Sequence, residues 1–123
     1  MPRARVVLFQ ERDGTVPLLD WLRDLEPKAR TKCRIRLERL AELGHELRRP
    51  EADYVGDGLY ELRARHQGVN YRILYFFQAR EAVVVSHGFS KQQAQLPRRE
   101  IELARKRKRA FEADSRAHTY EEE

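Results

Sequence analysis

The chain has 123 residues, 41% of them hydrophobic and 37% charged, with a formal net charge of +5 and a pI near 9.7. This length suits one domain with a single core, and the apolar content excludes disorder of the whole chain. The basic charge favours a polyanionic partner, nucleic acid above all, although a solvated basic surface or one that docks an acidic protein has the same composition.

The charge is unevenly distributed along the chain. Residues 112–123 contain five acidic residues and one arginine, a net charge of −4. Because the whole chain has a net charge of +5, residues 1–111 have a net charge of +9. The acidic tail has no apolar period and is predicted to be frayed. Residues 1–111 are therefore predicted to form the single folded domain.

Several classes of protein and site are excluded by what the sequence lacks. Cys33 is the single cysteine, which excludes an internal disulfide and a thiolate metal site. There is neither a run of about 20 apolar residues nor a signal-peptide pattern, so we expect a cytoplasmic protein without membrane association. The histidines lack metal-ligand spacing and no glycine-rich phosphate loop is present, so we expect no metal and no cofactor.

Three elements are predicted in the first half of the chain. Residues 5–10 (RVVLFQ) are β-branched and aromatic, which indicates a strand. Pro17 begins a helix, and Pro27 ends it and begins a second helix that extends to Leu43. The apolar positions of the second helix recur with helical period: Ala29, Cys33, Leu37 and Leu40. Two amphipathic helices of this kind must cover another layer.

The second half predicts that layer. Three strand-like runs, GLYELRARH, NYRILYFFQ and AVVVSHGFS, are separated by Gln67–Gly68 and by residues 79–81, which is typical of an antiparallel meander. The middle run is apolar on both faces and belongs near the sheet centre. Pro97 then begins a helix with seven basic residues between positions 98 and 109. The order β-α-α-β-β-β-α indicates an α+β domain.

Arginines on the predicted strands are the first candidate functional residues. Alternation places Glu61, Arg63 and Arg65 on one face, and Arg72 can approach them from the next strand. Arginine suits a phosphate site because its planar fork can bind two oxygens at once. Surface ion pairs of Arg63 and Arg65 with Glu61 and Glu81 are the simpler alternative, and such pairs stabilise by only about 0–1 kcal/mol.

His87 lies where the last predicted strand ends. Strict alternation would place its side chain on the same face as Val85 and Phe89 and would point Ser86 the other way. Ser86 and His87 are therefore not expected to act together in a serine hydrolase.

The segments GLYELRARHQGVNYRILYFF, VVVSHGFSKQ and PRREIELARKRKRAF together resemble the RelE/ParE toxin superfamily of bacterial toxin–antitoxin systems, and within it the phage-derived HigB-type branch. The resemblance is strong over residues 55–111. It implies a RelE-like fold, a twisted antiparallel sheet with an N-terminal helical pair and a C-terminal helix. It also implies metal-independent cleavage of mRNA, usually on the ribosome, in which the substrate's 2′-hydroxyl attacks the adjacent phosphate.

The resemblance also implies roles for single residues. Arg63 would face the scissile phosphate, Arg72 would stabilise the transition state, and Lys91 would act near the leaving group. His87 belongs to the HGF pattern of the branch, with a catalytic and a packing role both open. Glu61 departs from the lysine common in RNA-cleaving relatives, so it is either a general base or a mark of weaker cleavage. Further RNA contacts are predicted at Arg65, His66, Arg98 and Arg99.

The implied partners are mRNA, the ribosome and a helix-turn-helix antitoxin that covers the basic sheet or the C-terminal helix. Two alternatives remain. ParE-like members of the superfamily inhibit DNA gyrase and cleave nothing, although they tend to lack the basic set on the sheet. A third class keeps the fold but only binds RNA or an antitoxin.

Overall fold

The computed structural model describes residues 3–79, 82–91 and 96–122. Its elements in chain order are β1 (Arg5–Phe9), α1 (Pro17–Arg23), α2 (Pro27–Leu43), β2 (Ala52–Gly56), β3 (Leu59–His66), β4 (Val69–Gln78), β5 (Ala82–Lys91), α3 (Arg98–Ala113) and β6 (Thr119–Tyr120). This confirms the predicted α+β class and is consistent with a RelE-like arrangement. No helix within the described residues is long and apolar enough to cross a membrane.

The strands form one six-stranded sheet in the order β2-β3-β4-β5-β1-β6. Strands β2 to β5 are the antiparallel meander, and the two-residue turn at Gln67–Gly68 has positive φ at both positions, as a tight hairpin requires. Strand β1 lies parallel to β5, so the sheet is mixed and not wholly antiparallel as predicted. No hairpin joins these two strands, so nothing in the local sequence dictates their relative direction.

Two strands were not predicted, and both lie at the edges of the sheet. Strand β2 pairs antiparallel with β3, with Asp53 opposite Glu61 and Tyr54 opposite Tyr60. Strand β6 pairs antiparallel with the end of β1. Each is short, and short runs give little periodicity to detect.

The tail was predicted to be frayed, whereas the structure places a 3₁₀ segment and a short strand paired with β1 within residues 115–120. Helix α3 continues to Ala113, and a 3₁₀ segment then leads into β6. His118 is buried in that segment, where its ring stacks on Phe9 with centroids 4.7 Å apart and its Nδ1 lies 2.8 Å from the Gln10 carbonyl oxygen. The segment is held by the ring contact with Phe9 and by strand pairing with β1. The sequence of the tail alone does not predict either contact, because both partners lie in β1.

Helices α1 and α2 cover one face of the sheet. The four predicted apolar positions of α2, residues 29, 33, 37 and 40, are all buried. Gly88 on β5 allows Trp21 of α1 to lie directly on the strand, because a Cβ at this position would collide with the indole ring. Close packing of a helix against a strand therefore accounts for the glycine of the HGF pattern.

Helix α3 covers part of the opposite face. Its apolar stripe, including Ala104 and Phe111, packs on Leu74 and Phe76 of β4 and on neighbouring strands. Farther along the same strands this face becomes charged. The fold thus places a charged stretch of sheet directly beside a helix-covered core.

Candidate active site

Three adjacent strands bring the predicted basic residues together. Arg63 on β3 lies directly opposite Arg72 on β4 in the strand register. Arg72 lies opposite Phe89 on β5, two residues before Lys91 on the same face. We call this group the basic cluster: Glu61, Arg63, Arg72 and Lys91.

Glu61 occupies the centre of the basic cluster, with a side chain only 8% exposed. Its Oε2 accepts hydrogen bonds from Nε of Arg63 at 3.1 Å and from Nη2 of Arg63 at 2.9 Å. Its Oε1 lies 3.1 Å from Nε of Arg72, but the N–H is poorly directed and the contact is an ion pair without a good hydrogen bond. Two guanidinium groups therefore share one buried carboxylate. The Arg63–Glu61 ion pair expected under the alternative of surface ion pairs is present, but its carboxylate is buried and not on the surface.

Asp53 extends the charges of the basic cluster to the sheet edge. Its Oδ2 lies 3.1 Å from Nη2 of Arg63 and 3.0 Å from Nε of Arg49. The hydrogen bond from Arg49 lowers the pKa of Asp53. Sequence reasoning missed Asp53 because β2 was not predicted, although the short Ala52–Asp53–Tyr54 alternation was a weak signal for a strand.

Arg72 and Lys91 are the most buried cations of the basic cluster. The Arg72 side chain is 13% exposed, and Lys91 is buried. Burial lowers the pKa of both groups, and the positive charge of Arg72 further lowers that of Lys91. Arg72 nevertheless stays protonated, because no protein environment deprotonates a guanidinium at physiological pH. Lys91 becomes a better proton donor, since an ammonium with a lowered pKa releases its proton more readily.

A β-bulge in β5 changes the expected direction of His87. The β4–β5 register shifts between Leu74 and Tyr75, which leaves Ser86 as an extra residue between His87 and Val85. Val85 packs under α1 and α2, whereas the His87 ring lies on the α3 side near Phe89. The prediction that His87 shares a face with both Val85 and Phe89 is therefore wrong, because strict alternation fails at a bulge.

The bulge also brings Ser86 and His87 together, contrary to prediction. Ser86 Oγ lies 2.8 Å from His87 Nδ1, and His87 Nε2 lies 3.0 Å from Oε1 of Glu100 in α3. Ser86 is fully buried. The serine and the acid also occupy the opposite ring nitrogens from those of a Ser-His-Asp triad. The arrangement is therefore not that of a nucleophilic serine.

This hydrogen-bonded chain fixes α3 to β5. Burial lowers the pKa of His87, against the opposing effect of its hydrogen bond to Glu100. A neutral ring satisfies both contacts if Ser86 donates to Nδ1 and Nε2–H donates to Glu100. Both ring nitrogens of His87 are thus engaged within the protein, and Glu100 is a partner that sequence reasoning missed.

The other predicted RNA contacts are dispersed. Arg65 is exposed on the same face as Arg63. His66 lies on the opposite face, where its Nε2 is 3.4 Å from Oε1 of Glu26, so it is outside the basic cluster. Arg98 and Arg99 are exposed in the first turn of α3. The alternative partner of Arg65, Glu81, lies outside the described residues.

Metal ligands do not gather in the described part of the chain. Across residues 3–79, 82–91 and 96–122, no three histidine, cysteine or carboxylate side chains come together in a way that could hold a metal ion. The reactive groups that the site offers are therefore one carboxylate, two guanidinium groups and one ammonium group. These can bind an anion and move a proton.

Comparison with known families supports the toxin resemblance at a coarser level. A family model described as phage-derived protein Gp49-like (DUF891) matches residues 20–109, which include the whole basic cluster and the Ser86–His87–Glu100 chain. A search of the curated proteins finds no match. The Gp49-like family is toxin-like and related to RelE-type toxins. The chain belongs to this phage-derived, Gp49-like family.

Proposed function

We propose that the chain is a HigB-type toxin of a toxin–antitoxin pair that cleaves mRNA on the ribosome, in the cytoplasm and without a metal ion. The observation that carries this proposal is the convergence of Arg63, Arg72 and Lys91 on one stretch of sheet around Glu61. Three cations in a partly desolvated site bind a phosphate strongly, because charge interactions strengthen as water is excluded.

The proposed reaction uses the substrate's own nucleophile. Glu61 accepts the proton of the 2′-hydroxyl, whose oxygen attacks the adjacent phosphorus. Arg63 and Arg72 stabilise the negative charge that develops on the phosphorane oxygens. The bond from phosphorus to the 5′-oxygen then breaks, and Lys91 donates a proton to that oxygen. The products are a 2′,3′-cyclic phosphate and a 5′-hydroxyl.

Glu61 has two possible effects, and one substitution separates them. As a general base it speeds cleavage, so Glu61→Gln should lower the rate by about 10²–10⁴-fold. As a mere counter-charge it competes with the phosphate for Arg63 and Arg72, so Glu61→Gln should then raise the rate. Single-turnover cleavage of a reporter mRNA on purified ribosomes measures the direction of the change.

Primer extension on a reporter mRNA tests the function itself. Wild type, Arg72→Ala and the control Arg12→Ala are induced to equal soluble levels. We expect growth arrest and new 5′ ends with wild type and with Arg12→Ala, and neither with Arg72→Ala. Because Arg72 is buried beside Glu61, the thermal midpoint of each purified variant shows whether any loss reflects misfolding. New 5′ ends that persist in folded Arg72→Ala would contradict the proposed site.

A non-catalytic binding module is the second candidate. It is favoured by the two carboxylates Glu61 and Asp53, which already neutralise Arg63. In that case wild type would bind RNA or an antitoxin but yield no new 5′ ends. Growth arrest without cleavage would instead favour the third alternative, inhibition of DNA gyrase as by ParE-like proteins.

The proposed protein partner is a helix-turn-helix antitoxin. The excess of positive charge in residues 1–111 favours an acidic segment on that partner, because opposite charges speed and orient docking. Co-expression with a helix-turn-helix protein encoded beside this chain should restore growth. Failure of every neighbouring product to restore it would contradict this part of the proposal.

A further inference from the structure

A second surface with nucleic-acid-binding chemistry lies at the outer edge of the sheet, on β2. Tyr54 is 56% exposed, and among the described residues only Ile35, at 47%, is a comparably exposed large hydrophobic side chain. The Tyr54 ring meets Tyr60 edge-on with centroids 5.0 Å apart. Its hydroxyl accepts a hydrogen bond from the Gly58 amide at 3.0 Å. The exposed ring is therefore held in one orientation.

A cleft of about 500 Å³ opens beside this ring. Tyr54 and Tyr60 contribute its aromatic side, and the exposed Arg48 and Arg49 contribute two positive charges beside one carboxylate, Asp53, which pairs with Arg49. We call it the Tyr54 cleft. A fixed aromatic face next to arginines is the combination with which proteins bind single-stranded nucleic acid, because every base can stack and every phosphate is an anion.

The Tyr54 cleft and the basic cluster lie on opposite faces of the sheet and meet at its edge, on β2. Arg49 at the cleft and Arg63 in the cluster both contact Oδ2 of Asp53, at 3.0 Å and 3.1 Å. The two guanidinium groups thus share a single carboxylate oxygen. An RNA strand whose phosphate is bound at Arg63 passes around the sheet edge at Asp53 to reach Arg49 with its next phosphate.

We propose that the Tyr54 cleft binds one unstacked nucleobase of the single-stranded RNA whose scissile phosphate lies at the basic cluster. Tyr54 stacks on the base, and Arg48 and Arg49 contact the flanking phosphates. The inference rests on the proposed function, since it extends the same RNA along the sheet edge. Bases within a duplex are already stacked and paired, so the site selects single-stranded RNA.

Fluorescence anisotropy with uncleavable RNA tests this inference apart from catalysis. The full-length protein is titrated into a labelled single strand of about ten nucleotides, carrying 2′-O-methyl groups that remove the attacking hydroxyl. A matched strand without bases reports phosphate binding alone. The variants are Tyr54→Ala, Tyr54→Phe, which keeps the ring, and the control Ile35→Ala.

We expect Tyr54→Ala to weaken binding of the base-bearing strand about tenfold, the effect of losing one stacked base. Tyr54→Phe and Ile35→Ala should bind that strand like wild type, and all four proteins should bind the baseless strand equally. The inference is overturned if Tyr54→Ala binds like wild type, or if the baseless strand is weakened to the same extent. It is also overturned if Tyr54→Ala loses only antitoxin binding, which would make the occupant a protein.

The outcomes separate the cleft from the proposed catalysis. If wild type yields new 5′ ends in cells but Tyr54→Ala binds RNA normally, the cleft inference alone fails. If Tyr54→Ala shows the expected loss but wild type cleaves nothing, the proposed catalysis fails and the cleft remains an RNA-binding site.

Discussion

On the face covered by α1 and α2, strand β3 contributes Tyr60, Leu62 and Ala64, whereas on the opposite face it contributes Glu61 and Arg63. The apolar face gains about 25 cal/mol for each Å² removed from water, whatever the detailed geometry. Buried charges do not stabilise the fold unless they are paired. Even a buried ion pair often stabilises the fold less than apolar residues of the same volume. A protein selected for stability alone has little reason to keep the charged face. The difference supports the proposal that the charged stretch of the opposite face binds an anion, whereas the face under α1 and α2 maintains the fold.

The largest expected effect comes from Lys91 on the charged face. Lys91→Gln should slow cleavage by about 10²–10⁴-fold, the usual contribution of a general acid. A substrate with sulfur in place of the leaving 5′-oxygen should restore the rate, because a thiolate leaves without protonation. Single-turnover rates on the two substrates measure this. An equal loss on both would show that Lys91 acts as a charge and not as a proton donor.

The helix-covered face should respond in stability instead. Gly88→Ala forces a Cβ against the Trp21 ring, and we expect it to lower the free energy of unfolding by about 1–3 kcal/mol, as overpacking does. Urea denaturation followed by circular dichroism measures the change. The control is Ser90→Ala, at an exposed position two residues along the strand, which should change stability by less than about 0.5 kcal/mol. Equal effects of the two substitutions would contradict the proposed packing.

His87 joins β5 to α3, and its contribution to stability should depend on pH. Because folding lowers its pKa, the unfolded chain binds the proton more readily, and stability should fall as the pH drops below about 6.5, the ordinary histidine pKa. His87→Gln should remove this part of the pH dependence and cost on the order of 1 kcal/mol near neutral pH through lost hydrogen bonds. Unfolding midpoints between acidic and neutral pH measure both. The same slope in wild type and variant would contradict the assignment, and His45→Gln serves as the control.

The smallest effect is expected where the acidic tail meets α2. Arg34 contacts Glu122 at 2.8 Å, with both side chains about two-fifths exposed. Arg34→Ala should therefore lower stability by less than about 1 kcal/mol, and the loss should shrink in high salt. Thermal midpoints at low and high ionic strength measure it. A large loss that salt does not reduce would mean that the tail contributes more to the fold than its surface ion pairs indicate.

Some features of the fold and site followed from local pattern. Apolar residues at intervals of four, four and three from Ala29 to Leu40 predicted the buried stripe of α2, since a helical period is set by residues close in sequence. The Gln67–Gly68 turn and strand alternation correctly predicted that Arg63 and Arg72 would be neighbours. His66, also predicted to contact RNA, lies on the face of the sheet opposite to Arg63, near Glu26.

What the sequence by itself determined is the set of periodic elements: α1, α2, α3, strands β3 to β5 and the face from which Arg63 projects. Their periods depend on residues only two to four positions apart. Only the tertiary structure decided that β1 joins β5 in parallel, that the tail returns to β1, and that the bulge at Ser86 turns His87 towards Glu100. It also decided that one carboxylate, Glu61, lies between two arginines. These features depend on contacts between elements that are distant in sequence. Such contacts produce no periodic pattern within any single segment, so they cannot be predicted from local sequence.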